Sequence, residues 1–207
     1  EIDGTKLTLA NGAKVWLKYT NNKADEIIMS AYSNGGYSLI SVEDLPSAGL
    51  VSTAKTMCGL GDLSYQDLRK FLTGKNASVS AGLVELEEML TGASTMKDFE
   101  TMLQLTYLGF MPVRHDDEVL KSLIQRRKAS LENRQANPNS AYSDTLTMLL
   151  SNYSPRTNLP SVEYYDRINL EKTYSIANDR FKDAGDFNFI FIGNVNLPEM
   201  KPLIGKY

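Results

Sequence analysis

With 207 residues, 42% of them hydrophobic and 23% charged, the chain has the make-up of an ordinary globular protein and is long enough to bury a sizeable core. A net charge of −3, with no Lys/Arg cluster interleaved with aromatics, excludes the basic footprint of a nucleic-acid binder. No stretch approaches the roughly 20 consecutive apolar residues of a membrane-spanning helix, and the one cysteine, Cys58, makes no internal disulfide.

The chain opens at Glu1 rather than Met and reads as a piece of a longer polypeptide, so the lack of a signal peptide is silent on compartment. Leu7–Leu9 and Val15–Leu17 are short alternating runs around Asn11-Gly12, a strong hairpin signal. Glu26–Ser33 is a third strand, with Ile28 and Ala31 expected to face inward, and Asn34-Gly35-Gly36 interrupts it. Pro46 opens a helix in which Ala48, Leu50, Val51, Ala54 and Met57 recur at helical spacing, and Gly59 and Gly61 end it. Ser64 caps a second helix, Tyr65–Leu72, followed by Gly74.

Asn76–Val84 and Leu86–Gly92 are two further strands joined by a tight turn. A helix over Thr95–Phe110, capped by Ser94 or Thr95, carries the stripe Phe99, Met102, Leu103, Thr106 and Phe110, and Pro112 ends it. Asp116 or Asp117 starts a long helix to about Gln135, and Asn137-Pro138-Asn139 separates it from a helix over Ala141–Leu150. Tyr153–Pro160 is a loop. Ser161 and Asn169 open two more helices, the second running to Phe181. Phe187–Ile192 is an unbroken apolar run, expected as a buried strand, and Pro198–Lys206 is a last short helix. With no repeat, low-complexity tract or linker, residues 1–207 form one α/β (α+β) domain: a mostly antiparallel sheet of five or six strands with helices packed on one face.

Several blocks, in order, resemble the insulinase/pitrilysin family of zinc peptidases: LANGAKVWLKYTNNKADEIIMSAYSNGG, GLGDLSYQDLRKFLTGK, LTGASTMKDFETMLQLTYLGF and FNFIFIGNVNLPEMKPLIGKY. In that family the helix corresponding to Pro46–Met57 carries H-x-x-E-H ahead of a Met and a glycine turn, two His binding zinc and the Glu acting as general base. Met57 and Gly59–Gly61 keep that frame, but the motif positions read Ser52-Thr53-Ala54-Lys55-Thr56. The family's third ligand, a Glu, falls before an Asn-Pro turn. Asn137-Pro138 puts that position near Ala129-Ser130, and the nearest carboxylate, Glu132, is out of step by two or three residues. The resemblance therefore implies a domain with no metal and no catalytic residue of its own at Ser52, Lys55 and Thr56.

What the resemblance further implies is a place as the third of four related domains in a large single-chain bacterial member. Zinc would be held in the N-terminal domain of the parent protein. The partners would be the other domains of the same polypeptide and an extended peptide substrate, with the periplasm as compartment. The substrate-gripping residues of the family lie in its fourth domain, outside this chain. Cut free, the domain is expected to self-associate weakly, with Tyr153, Tyr164 and Tyr165 as candidate contacts. A scaffold of the same fold with no peptidase context, as in respiratory complexes, is the alternative.

Other chemistry-bearing residues have plainer readings. His115, the one histidine, precedes Asp116, Asp117 and Glu118, which suit the first turn of a helix better than a metal site. Cys58 lies on an apolar helix face, where a core role outweighs a nucleophilic one. Strand alternation separates Glu87 from Glu88, so Glu85, Glu87 and Glu88 read as a solvated face rather than an acid/base pair. Lys55 with Ser52, Thr53 and Thr56 has permissive spacing for a hydroxyl–lysine nucleophile but no visible oxyanion hole. Neither Gly35-Gly36 nor Gly59-Leu60-Gly61 fits a phosphate-binding fingerprint.

Overall fold

The structure, a computed structural model, describes residues 3–135 and 137–207. The hairpin at Asn11-Gly12 forms as its sequence dictates. Strands β1 (Thr5–Thr8) and β2 (Lys14–Tyr19) pair antiparallel, and the Asn11 side chain accepts from the Ala13 N–H at 3.1 Å to hold the turn. Four more strands complete a mixed sheet: β3 (Ile27–Asn34), β4 (Ala77–Leu83), β5 (Glu87–Ser94) and β6 (Asn188–Gly193). The order is β1-β2-β6-β3-β5-β4, with β2 and β6 parallel and every other neighbouring pair antiparallel. The expected single α+β sheet domain is therefore present, with β1 and β4 as its edges.

One face of the sheet is covered. Val15, Leu17, Ile27, Met29, Ala31, Leu90, Phe189 and Phe191 point into the core. They meet Phe99, Met102 and Leu103 of α4 (Phe99–Phe110) and Ile204 of α9 (Leu197–Lys206). Phe99 meets Phe191 edge-on at 5.6 Å and Phe110 meets Phe187 at 5.0 Å, pairings that add to burial by about 0.5–1.5 kcal/mol each. The period of two then leaves Trp16, Ile28 and Ile192 on the other face, exposed. Two expectations fail here for one reason. Ile28 is three residues from Ala31, so it cannot share that residue's face and is 49% exposed. The apolar run at β6 is not buried on both sides: it alternates, Phe189 and Phe191 inward and Ile192 outward.

The central helix is two short ones, α1 (Leu45–Ala48) and α2 (Val51–Met57). Between them Leu50 N–H turns back to Ser47 O at 3.1 Å, tightening the chain for one turn. The Tyr164 hydroxyl lies against Gly49, where a side chain would collide. Capping signals are read well from sequence: Ser64 accepts from Asp67 N–H ahead of α3 (Tyr65–Phe71), Ser161 from Tyr164 N–H ahead of α7 (Val162–Asp166), and Asn169 from Lys172 N–H ahead of α8 (Leu170–Arg180). Starts set by tertiary context differ. β5 runs on to Ser94, so Thr95 alone bonds Asp98 N–H, and α4 begins at Phe99. Helix α5 spans Asp117–Gln135. Asn137-Pro138 does not merely break the chain: Asn137 accepts from Asn139 N–H as the cap of α6 (Pro138–Leu150), and Pro138 is its first residue.

Candidate functional site

Helix α2 sits where a zinc motif belongs in the resemblance, so its side chains define the site to be tested. Val51, Ala54, Lys55 and Cys58 form its buried stripe, at the i, i+3, i+4, i+7 spacing of an amphipathic helix. Ser52 is bound elsewhere: its Oγ accepts the Leu83 N–H at 2.9 Å, closing one donor at the end of edge strand β4. Thr56 donates back to Ser52 O at 2.9 Å along the helix. Thr53 Oγ1 accepts from Arg127 of α5 at 3.2 Å, so α5 does face α2, through a guanidinium. Near the expected third ligand position, Ser130 donates to Arg127 O at 2.7 Å. The Glu132 side chain lies outside the described residues.

Lys55 takes the position of the general base. It is 5% exposed, with its ammonium over the Phe181 ring, 4.7 Å from the centroid. Burial lowers its amine to about 8. This set does not fit zinc, which takes thiolate, imidazole or carboxylate donors. Here two engaged hydroxyls and a buried amine, cationic when protonated, stand in their place. Among the described residues no group of three or more His, Cys, Asp or Glu side chains gathers to hold a metal ion.

The remaining candidates resolve into packing. Cys58 is fully buried, and burial, followed by the charge of Asp116, pushes its thiol up to about 11, away from nucleophilic chemistry. His115 stacks flat on Tyr174 at 3.9 Å. Tyr174 in turn accepts from Asp116 N–H at 3.0 Å and donates to Asp117 at 3.1 Å. Asp116 accepts from Val119 N–H at 3.4 Å, the helix-start role its position suggests. Glu87 and Glu88 are separated as alternation requires, but Glu88 is not solvated. It is 1% exposed on the helix side of β5, accepts from Gly36 N–H at 2.9 Å and faces Arg180 at 3.6 Å. Gly36 allows this with φ +61°, and a side chain there would strike the backbone at Val84. Gly36 of the pair thus binds a carboxylate of its own chain. Tyr153 is exposed, whereas Tyr164 and Tyr165 are half-buried and packed edge-on at 5.3 Å.

The buried amine of Lys55 is the feature that sequence reading passes over. Its signal was available: Lys55 falls on the same stripe as Val51, Ala54 and Cys58, so a helix that buries this stripe must bury the lysine.

The fold is that of insulinase/pitrilysin-type (M16) domains, and the positions at which that family carries its zinc motif hold Ser52, Lys55 and Thr56 here. No family model matches the chain. The "Zinc protease PQQL-like" protein of Arabidopsis thaliana is 26% identical over 208 residues, covering 100% of this chain and 19% of that protein. The "Probable zinc protease PqqL" of Escherichia coli (strain K12) is 22% identical over 204 residues, covering 98% of this chain and 22% of that protein. The crystal structure of the periplasmic protease PqqL from Escherichia coli superposes with a TM-score of 0.80 at 21% identity, covering 99% of this chain and 22% of that one. Its first half alone gives 0.75 at 10% identity, covering 98% of this chain and 45% of that one. A peptidase M16 inactive domain from Pseudomonas fluorescens gives 0.76 at 14% identity, over 99% of this chain and 50% of that one. The chain spans about a fifth of the length of the curated relatives it matches, 19% and 22%.

Proposed function

We propose that the chain is a non-catalytic domain of a zinc metalloendopeptidase, helping to enclose and hold extended peptide while an N-terminal domain of the same polypeptide supplies the zinc. The observation that carries this reading is the motif helix itself. It keeps its place against the sheet, yet Ser52 is spent on Leu83 N–H at 2.9 Å and the general-base position holds the buried Lys55. A position in the second half, as the third of four domains, draws support from PqqL: 21% identity against the whole protein and 10% against its first half. The same likeness favours a bacterial parent and the periplasm. Peptide would lie along the edge of β4, where backbone groups suffice for affinity and side chains carry little of the signal.

The test uses the whole parent protein. Tightly held zinc and chelator-sensitive cleavage of an unstructured peptide are expected, and a benzophenone-bearing peptide should cross-link to residues of β4. A parent without zinc or cleavage overturns the reading in favour of the scaffold role. Cross-links that avoid β4 overturn the peptide-holding part alone.

A further inference from the structure

A cavity of about 160 Å³ lies between α2, α3, β4 and α4. That is close to the ~150 Å³ apolar cavity that holds a benzene ring. Half of its lining residues are aliphatic, Leu60, Leu68, Val79 and Leu90 among them, and none of the described residues that line it is acidic. Two cations do. Lys55 is part of the wall, almost fully buried; among the described residues its ammonium has no carboxylate within 4.0 Å and no hydrogen-bond acceptor. Arg69, an exposed lining residue, rests over the Tyr65 ring at 6.0 Å and has no ion-pair partner among the described residues. A buried amine left without a counter-charge is costly to keep as structure alone. Here the lysine that carries it lines a space sized for a small molecule, its ammonium resting on the Phe181 ring beside that space, with the Arg69 guanidinium among the same lining residues.

We propose that this cavity is a reactive-lysine site, in which Lys55 forms a reversible imine with small 2-oxo acids or other carbonyl compounds carrying an anionic group, held by Arg69. The neutral amine adds to the carbonyl carbon and a C–N bond forms. Nitrogen then gives up its two protons, the carbonyl oxygen leaves with them as water, and a C=N bond remains. Nothing is oxidised or reduced. The four-carbon stem lets the amine swing from the Phe181 ring to a carbonyl in the cavity. The anion requirement follows from the lining charges, both positive, and an Arg fork recognises a carboxylate with two parallel bonds. Burial also supplies the reactive form. With the amine lowered to about 8, half is neutral at pH 8, roughly 100-fold more than for an exposed lysine.

The experiment is done on the intact protein at pH 8, with glyoxylate as the probe and borohydride to fix the imine, followed by peptide mapping. Lys55 is expected to be labelled first and at the lowest glyoxylate concentration. Arg69→Gln should raise the half-saturating glyoxylate concentration by about tenfold and leave labelling by neutral propionaldehyde unchanged. Lys55→Met should abolish the adduct, its fold checked by circular dichroism. The wild-type map decides even if that variant fails to fold. Labelling spread over exposed lysines with Lys55 no faster than they are overturns the proposal, as does Lys55 labelling seen only in denatured protein. Equal Arg69 dependence for glyoxylate and propionaldehyde overturns the anion-holding role.

Discussion

Lys55 shows how one side chain sets the pH response of the molecule. Its amine lies at about 8 when folded, below the ordinary 10.5, because burial disfavours the charged form. The unfolded chain therefore binds more protons than the folded one between those values, and stability rises with pH across that window. Cys58 acts the opposite way: its thiol moves from 9.0 up to about 11 on folding, so stability is lost as pH climbs from 9 to 11. The two oppose each other above pH 9, and the Lys55 gain shows by itself between pH 8 and 9. Urea unfolding of Lys55→Met should give a chain more stable at pH 7 by about 1–3 kcal/mol, with the pH 8–9 rise gone. A variant less stable than the parent would show that the ring contact with Phe181 outweighs the cost of the buried charge.

Among the elements, α2 holds the strongest consequence. Ser52→His, Lys55→Glu and Thr56→His together restore the letters of the zinc motif but not a third ligand or the partners that orient it. The His at position 52 would take Ser52 from Leu83 N–H, and an unmet backbone donor costs about 1–3 kcal/mol. The triple variant should be less stable than the parent, bind no stoichiometric zinc by metal analysis after dialysis, and cleave no unstructured peptide. Chelator-sensitive cleavage would contradict this. Element type and capping were legible because they are local: Ser64, Ser161 and Asn169 announce their helices within three residues. The facing of β6 was not, because an apolar run fits one buried face or two, and only the helices packed on one side of the sheet decide. Glu88 was misread for the same reason. Its partners, Gly36 and Arg180, are 52 residues before it and in α8, beyond any local pattern.

For the whole molecule, the surface most in need of cover is helix α6. It has no buried residue, and Tyr142, Leu146, Leu149 and Leu150 lie exposed along it, with Tyr153 just beyond. Exposed apolar stripes of this kind mark contacts with other protein surfaces. Because the chain spans only 19% and 22% of its curated relatives, the expected occupant is another domain of the same polypeptide. Sedimentation of the 207-residue chain should show weak self-association, suppressed by Leu146→Glu with Leu150→Glu and displaced by an added neighbouring domain of the parent protein. Association unchanged in that double variant would move the contact elsewhere, with the half-buried pair Tyr164 and Tyr165 next to be substituted.

The parallel pairing of β2 with β6 joins Lys14 to Asn188 and Tyr19 to Gly193. During vectorial synthesis the first hairpin emerges early and has no permanent neighbour, because β6 separates it from β3. Until the last strand leaves the ribosome, β2 has an open edge while β3, β4 and β5 can already pair. Arrested nascent chains ending before Phe187 should therefore leave Val15 and Leu17 accessible to protease and to chaperone. Chains extended beyond Tyr207 by a linker should bury them in one late step, on the millisecond-to-second scale typical of sheets closed by distant segments. Early protection of the hairpin in the arrested chains would mean that it docks without its parallel partner.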